Sequence, residues 1–335
     1  MIGTQRSGSN LFRLMLNQLP QVASPHPPHI ITRLMPLVPS YGDLGDSAAF
    51  ALLVHDACRL VESNPVEWEG VRLDRADIAR RCAQPHLFAV MAAIYDVLTE
   101  TWGKQQWVCK SLGNVAYAEE LAAFFPDANF IYLYRDGRDV ALSFTRAIEG
   151  EKNAYSIAAD WDAAQQQALR LGAKLPAERF LRVSYEHLTG DAKATLQRTC
   201  AFLSVPYSDD MLEFHSSSEA QKAASSSNLW GNVTKPVMQE NTRKFLKETS
   251  KDDLRIFESV AGRSLDELGY ERFALDAGKE DTYAPEQIEA FREDNARKKA
   301  AAWDDLPAED RERRHVQQAL IAEIKSRNAA RMATV

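Results

Sequence analysis

The sequence predicts an α/β fold, a three-layer, doubly wound parallel sheet with helices on both faces. Three observations predict it. Short β-branched and aromatic runs alternate with helical stretches, as in "NFIYLY" before "GRDVALSF" and "RFLRVS" before "YEHL". A glycine turn at residues 3–8 opens directly into the helix-forming run "LFRLMLNQL". The unusual charged residues fall where a strand hands over to a helix, which is where such sheets hold ligands.

Each element follows in order. Only Met1 and Ile2 precede the glycine turn, so the first strand is either very short or begins upstream of this start. Residues 11–19 read as a helix ended by Pro20. Residues 47–62 and 85–101 are long apolar-periodic stretches, predicted to be helices covering the sheet or an acceptor cleft. "QQWVCK" is a short buried strand with the helical "NVAYAEELAAFF" behind it. Residues 129–134 form the next strand, Asp136 and Gly137 its turn, and Arg138 onward a helix. The serine-rich residues 216–227 are expected to be a mobile loop. From about residue 277 the chain turns charged, which predicts solvated helices or a contact with a partner or second copy. The expected division is a domain over 1–275, with a helical acceptor-side insertion at about 44–103, and a charged helical extension over 276–335.

Composition narrows the function. A chain of 335 residues with 45% hydrophobic and 26% charged residues can bury a full core. The net charge of −7 argues against nonspecific nucleic-acid binding but leaves room for a local basic cleft. Cys58, Cys82, Cys109 and Cys200 are scattered without a C-x-x-C pair, neither a disulfide framework nor a zinc site. That pattern predicts a reduced, cytoplasmic setting. No apolar run approaches the roughly 20 residues of a membrane span, and no signal-peptide pattern opens the chain.

The opening loop, "GTQRSGSN", keeps the two-glycine spacing of a phosphate-binding turn. Glycines let the backbone bend so that several N–H groups point at one anion, and the next helix adds its positive end. In the nucleoside-triphosphatase version Gly8 would be followed by Lys and then Ser or Thr. Here Ser9 and Asn10 stand there, so ATP or GTP hydrolysis loses its lysine and its magnesium hydroxyl. Arg6 supplies a cation inside the turn instead. The arrangement suits a phosphosulfate, which carries less charge than a triphosphate and whose transfer needs no magnesium.

"YLYRDGRDVALS" places Arg135 at a strand end and Ser143 eight residues later on the following helix. Together with the opening loop, this resembles the sulfotransferases that use 3′-phosphoadenosine 5′-phosphosulfate. The resemblance runs from residue 3 to about residue 270 and implies a P-loop nucleotide-hydrolase-like sulfotransferase fold. It implies that Arg6, Ser7, Gly8, Ser9 and Asn10 bind the 5′-phosphosulfate. Arg135 and Ser143 would bind the 3′-phosphate. The family usually has Thr where Asn10 stands. "VSYEHL" is similar to the family's tyrosine-glutamate element and puts Tyr185 near the adenosine. "NVTKPVMQENTRKF" is similar to the late segment of tyrosylprotein sulfotransferases and nominates Lys235 as a group folding over the donor. Read apart from the resemblance, Tyr185 is a core aromatic and Lys235 a surface lysine.

The chemistry needs two more groups. Lys110 stands at the end of the strand "WVC", where the same branch has a lysine that contacts the transferred group. The acceptor hydroxyl needs a base, and an unperturbed histidine titrates near ~6.5. Aligned without gaps from Arg6, His26 in "ASPHPPHI" falls where tyrosylprotein sulfotransferases have their catalytic glutamate. The prolines predict a polyproline II stretch with His26 and His29 on one side, about 9 Å apart. His26 is the expected base and His29 an acceptor contact or support, while His55, His86, His187 and His215 receive no role. The expectation is in-line sulfuryl transfer from 3′-phosphoadenosine 5′-phosphosulfate, released as 3′-phosphoadenosine 5′-phosphate, with no metal. The acceptor would be a hydroxyl on a small molecule, lipid, carbohydrate or tyrosine. A homodimer is left open. A P-loop kinase or nucleotidase, or a non-catalytic binding module on the same fold, are the alternatives.

Overall fold

The computed structural model describes residues 1–226 and 228–333. The central strand, Phe130–Tyr134, shows why the protein has three layers. Its side chains alternate, with Phe130 and Tyr132 entering one core and Ile131 and Leu133 another. A strand that is apolar on both faces needs cover on both.

The strands are β1 (Ile2–Gly3), β2 (Val22–Ala23), β3 (Gln106–Trp107), β4 (Phe130–Tyr134) and β5 (Phe180–Ser184). All the pairings are parallel: β1 beside β4, β4 beside β5, and β2 beside β3. The Met1 nitrogen donates to Cys109 O just beyond β3, which joins the two pieces along the β3–β1 seam. β1 can lie against β4 because residue 3 is glycine. A Cβ there would sit 2.1 Å from Leu133 O, and φ is +138°.

The helices are α1 (Ser9–Asn17), α2 (Ile30–Leu34), α3 (Ser47–Glu62), α4 (Arg75–Arg81), α5 (Leu87–Thr101), α6 (Ala118–Phe124), α7 (Gly137–Arg146) and α8 (Ala154–Lys174). Beyond β5 come α9 (Tyr185–Gly190), α10 (Ala192–Phe202), α11 (Ser218–Ser226), α12 (Phe245–Glu248), α13 (Lys251–Leu268), α14 (Pro285–Asp304) and α15 (Ala308–Met332). One core holds the insertion helices α3 and α5 together with Tyr132 and Leu171. The other packs α1, α10 and α11 against Ile131 and Leu133. A third cluster joins α7, α8 and α13 around the fully buried Trp161. The two long helices of the insertion run at the predicted places, and Asp46 starts α3 by accepting from the amides of Ala48 and Ala49.

One expectation fails and another holds only in part. The serine-rich segment is not a loop over its described residues but helix α11, whose Ala220 and Ala223 are fully buried. Glu219 on it bonds both Arg13 and Asn17 of α1. Residue 227 lies outside the described residues. The charged C-terminal segment does form two largely exposed helices, as expected, but α15 also packs against the fold. Leu320 and Ile324 of α15 enter the first core, and Arg327 pairs with the fully buried Asp56 of α3. α14 holds the α7–α8 loop through Asn295, which accepts from the Lys152 amide at 2.6 Å.

Candidate active site

The chain leaving each of the five strands contributes to one cleft of about 640 Å³. After β1 the chain enters the loop with Arg6 in the left-handed region at φ +69°. Gly8 follows at φ +83° as N-cap of α1, with no side chain capping the helix. The first amides of α1 are therefore left for a ligand, and no acidic side chain occupies that turn. Gly8 is required for a second reason. A Cβ there would lie 2.5 Å from the Tyr185 ring.

The second motif meets this loop directly. Arg6 Nε donates to Ser143 Oγ at 2.9 Å, and Arg135 Nη1 donates to Arg6 O at 3.0 Å. Arg135 stacks over Tyr185 with its guanidinium carbon 4.4 Å from the ring centroid. Its other nitrogen donates to Asn241 O. Asp139 lies 3.9 Å from Arg135 and accepts from the amides of Arg243 and Phe245. That tethers the 241–245 segment over the cleft. Arg138 is spent on structure, buried between Asp136 and Glu258.

The base candidates stand on the other wall. His26 is buried, and its Nδ1 lies 3.1 Å from Asn64 Oδ1. Asn64 Nδ2 donates to His26 O, as does Trp68 Nε1 at 2.8 Å. Lys110 is buried without a hydrogen bond or ion pair among the described residues. Burial, then the charges of Arg13 and Arg6, pushes its ammonium down to about 7. The same two causes, burial first and then the cations Arg13 and Lys110, hold His26 well below its ordinary value. Burial and Lys110 lower His29 to about 3. Both rings are neutral at neutral pH, so each carries a lone pair. His29 departs from the polyproline expectation, with a left-handed φ of +59° as it caps α2.

Of the residues singled out in the sequence, Arg6, Gly8, Ser9, Asn10, His26, Lys110, Arg135, Ser143, Tyr185 and Lys235 all line this cleft. Lys235 stands exposed at its rim. Ser7 does not reach it; its hydroxyl is buried and unpartnered among the described residues. The Asn10 oxygen accepts from Arg13 Nε at 3.2 Å, a bond within the first turns of α1. Sequence reasoning missed Asn64, Asp139 and Asn241, and also Asp310, Arg314 and Gln317 of α15, which form part of the wall. Only Asp139 had a visible signal, its place in "RDGRD". The described lining holds more than twice as many lysine and arginine side chains as carboxylates. In a chain of net charge −7 this concentrates positive potential where an anion would bind.

Known proteins agree with this geometry. Residues 1–209 match the sulfotransferase family. The chain is 25% identical over 313 residues to protein-tyrosine sulfotransferase A of Caenorhabditis elegans, covering 90% of this chain and 73% of that one. It is 25% identical over 281 residues to protein-tyrosine sulfotransferase 2 of Gallus gallus, covering 81% and 69%. Its fold resembles a sulfotransferase domain from the curacin biosynthetic pathway, with a TM-score of 0.57 at 20% identity over 81% of this chain and 96% of that one. It also resembles the sulfotransferase domain of the Synechococcus PCC 7002 olefin synthase, with a TM-score of 0.52 at 20% identity, covering 77% and 92%. With the family matched over well over half its length, and its anion loop, second motif and buried lysine opening on one cleft, this chain belongs to the sulfotransferase family and is a sulfotransferase.

Proposed function

We propose that the protein moves a sulfuryl group from 3′-phosphoadenosine 5′-phosphosulfate to an acceptor hydroxyl, with His26 as base. The observation that carries this is the meeting of Arg6, Ser143 and Arg135 in one bonded group beside Lys110 and His26. The uncapped start of α1 and Arg6 suit the 5′-phosphosulfate, and Arg135 with Ser143 suit the 3′-phosphate. Tyr185, with Arg135 already stacked on it, offers a flat face for the adenine side. Lys235 closes the rim.

In the transfer, the acceptor oxygen forms a bond to sulfur as the bond from sulfur to the 5′-phosphate oxygen breaks. His26 takes the acceptor's proton. Arg6, Lys110 and the loop amides stabilise the charge gathering on the leaving phosphate oxygen. In this reading no step is routed through a metal ion, since Arg6, Lys110 and the loop amides supply the positive charge at the leaving oxygen. The named relatives make a tyrosine hydroxyl the first acceptor to try, with small-molecule, lipid and carbohydrate hydroxyls beside it.

Calorimetric titration with 3′-phosphoadenosine 5′-phosphate, ADP, and ATP with magnesium tests the donor. Tight binding of the first without magnesium, lost in Arg135→Ala, is expected. Preference for ATP with magnesium would return the loop to kinase chemistry. For the base, His26→Ala should lower turnover by roughly 10²–10⁴. Unchanged turnover in His26→Ala together with its loss in His29→Ala would move the role to His29.

A further inference from the structure

An imidazole accepts a proton only through the nitrogen that carries no hydrogen, so a histidine base needs its tautomer set. Asn64, just beyond α3, is buried beside His26. Its Nδ2 donates to two carbonyl oxygens, His26 O at 3.0 Å and Val66 O at 3.1 Å. Carbonyls only accept, so the amide has one orientation: turned round, its oxygen would face two oxygens. That leaves Asn64 Oδ1 facing His26 Nδ1 at 3.1 Å. An amide oxygen also only accepts, so Nδ1 must carry the hydrogen and Nε2 the lone pair. Trp68 Nε1 donates to the same His26 O at 2.8 Å and holds the histidine's main chain in place.

We infer that Asn64 is a positioning residue for sulfuryl transfer, holding His26 as the Nδ1–H tautomer so that Nε2 is the basic atom. This rests on the reading of His26 as the base. The bond from Nδ1–H to Asn64 Oδ1 keeps the same donor and acceptor in the neutral ring and in the imidazolium, and strengthens when the ring is charged. Proton uptake therefore needs no rearrangement on this side. An amide also adds no charge, unlike the carboxylate that orients the base in Ser-His-Asp triads. The charged groups facing the ring are Arg13 from α1 and Lys110 beyond β3, with the neutral His29 beside them. Burial first, and then these charges, keep the ring unprotonated at neutral pH, while the Asn64 bond acts the other way. The insertion at residues 44–103 thus reaches into the chemistry through Asn64 and Trp68.

The test compares wild type, Asn64→Leu, Asn64→Asp and His26→Ala in the full chain. Two readouts are taken: the ring nitrogen shifts of His26 in ¹⁵N-histidine-labelled protein, and the pH profile of transfer from 3′-phosphoadenosine 5′-phosphosulfate to a tyrosine peptide or 4-nitrophenol. Wild type should show hydrogen on Nδ1. Asn64→Leu should lose that preference and drop kcat by about tenfold or more, with binding of 3′-phosphoadenosine 5′-phosphate kept. Asn64→Asp keeps an acceptor at Nδ1 and adds a negative charge. It should restore the tautomer and move the acid limb of the profile to higher pH. Hydrogen on Nε2 in wild type, or an unchanged tautomer in Asn64→Leu, would overturn the inference. If His26→Ala abolishes transfer while Asn64→Leu keeps the wild-type kcat, the positioning role fails and the base survives. If His26→Ala keeps full transfer, the base reading itself fails.

Discussion

Arg6 Nε donates a 2.9 Å hydrogen bond to Ser143 Oγ, tying the β1–α1 loop to α7 across 137 residues of chain. The sequence reading assigns these two side chains to opposite ends of one donor, yet without that donor they hold each other. In this bond Ser143 Oγ is the acceptor, so its own hydrogen remains to be donated to an anion, as the proposed 3′-phosphate contact requires. Ser143→Ala should weaken binding of 3′-phosphoadenosine 5′-phosphate by about 1.5–3 kcal/mol, the value of a hydrogen bond to a charged group. ADP lacks the 3′-phosphate and should bind nearly as before. Calorimetry with the two nucleotides measures the difference.

Gly8→Ala should damage binding and stability together. A non-glycine residue held in the left-handed region costs about 1–2 kcal/mol, and the added Cβ would press on the Tyr185 ring 2.5 Å away. Moving that ring also moves the surface on which Arg135 stacks. Adding Tyr185→Ala removes the clash but not the backbone strain, so the double variant should lose less than the sum of the singles. Thermal unfolding and nucleotide affinity read this out.

Under the proposed donor reading, Lys110 should make donor binding a proton-linked event. With its ammonium pushed down to about 7, the side chain is mostly neutral at pH 8 before a ligand arrives. A bound anion favours the charged form, raises this value, and draws a proton from solution. Donor affinity should fall as pH rises above about 7. Calorimetry at pH 8 in two buffers of different ionisation enthalpy should show net proton uptake, and Lys110→Met should abolish it. The ligand-free protein gives a second sign. An unfolded lysine titrates near ~10.4, so the unfolded chain binds more protons between about 7 and that value. Stability from this group therefore rises with pH across that window, and Lys110→Met should flatten the rise.

The C-terminal helix should prove integral to both fold and cleft. Ile324 is fully buried in the first core, and Ile324→Ala is expected to cost about 2–5 kcal/mol, seen as a lower unfolding temperature. Arg314, on the part of α15 that lines the cleft, pairs with Glu149 at 2.5 Å. Arg314→Ala should leave binding of 3′-phosphoadenosine 5′-phosphate close to wild type while changing the KM for the acceptor. Steady-state kinetics with donor and acceptor varied separately will check it.

The elements legible in the sequence are those set by local chemistry. The apolar run of β4, the glycine turn into α1 and the Asp136 cap of α7 each declare themselves within a few residues. Once strands alternate with helices, the strand ends must gather at one edge of a parallel sheet, so Arg6, Lys110 and Arg135 could be assigned to a common site before any fold was seen. The errors have a common cause as well. "SSSEAQKAASSS" is rich in serine, which favours turns locally, yet α11 is held by Glu219 bonding Arg13 and Asn17 more than two hundred residues earlier. The C-terminal segment looks solvated because charged residues recur all along it, and only its packing shows that Leu320 and Ile324 point inward.

By itself, then, the sequence determined the alternation of strands and helices, the glycine turn into α1 and the strand-end places of Arg6, Lys110 and Arg135, though not the short β2, because glycine spacing, strand composition and strand-end position act over short stretches of chain. The tertiary structure alone decided that α15 walls the cleft, that Arg6 and Ser143 bond to each other, and that Asn64 turns the His26 ring. These are contacts between side chains far apart in the chain, where burial and single hydrogen bonds choose among arrangements that local pattern leaves equal.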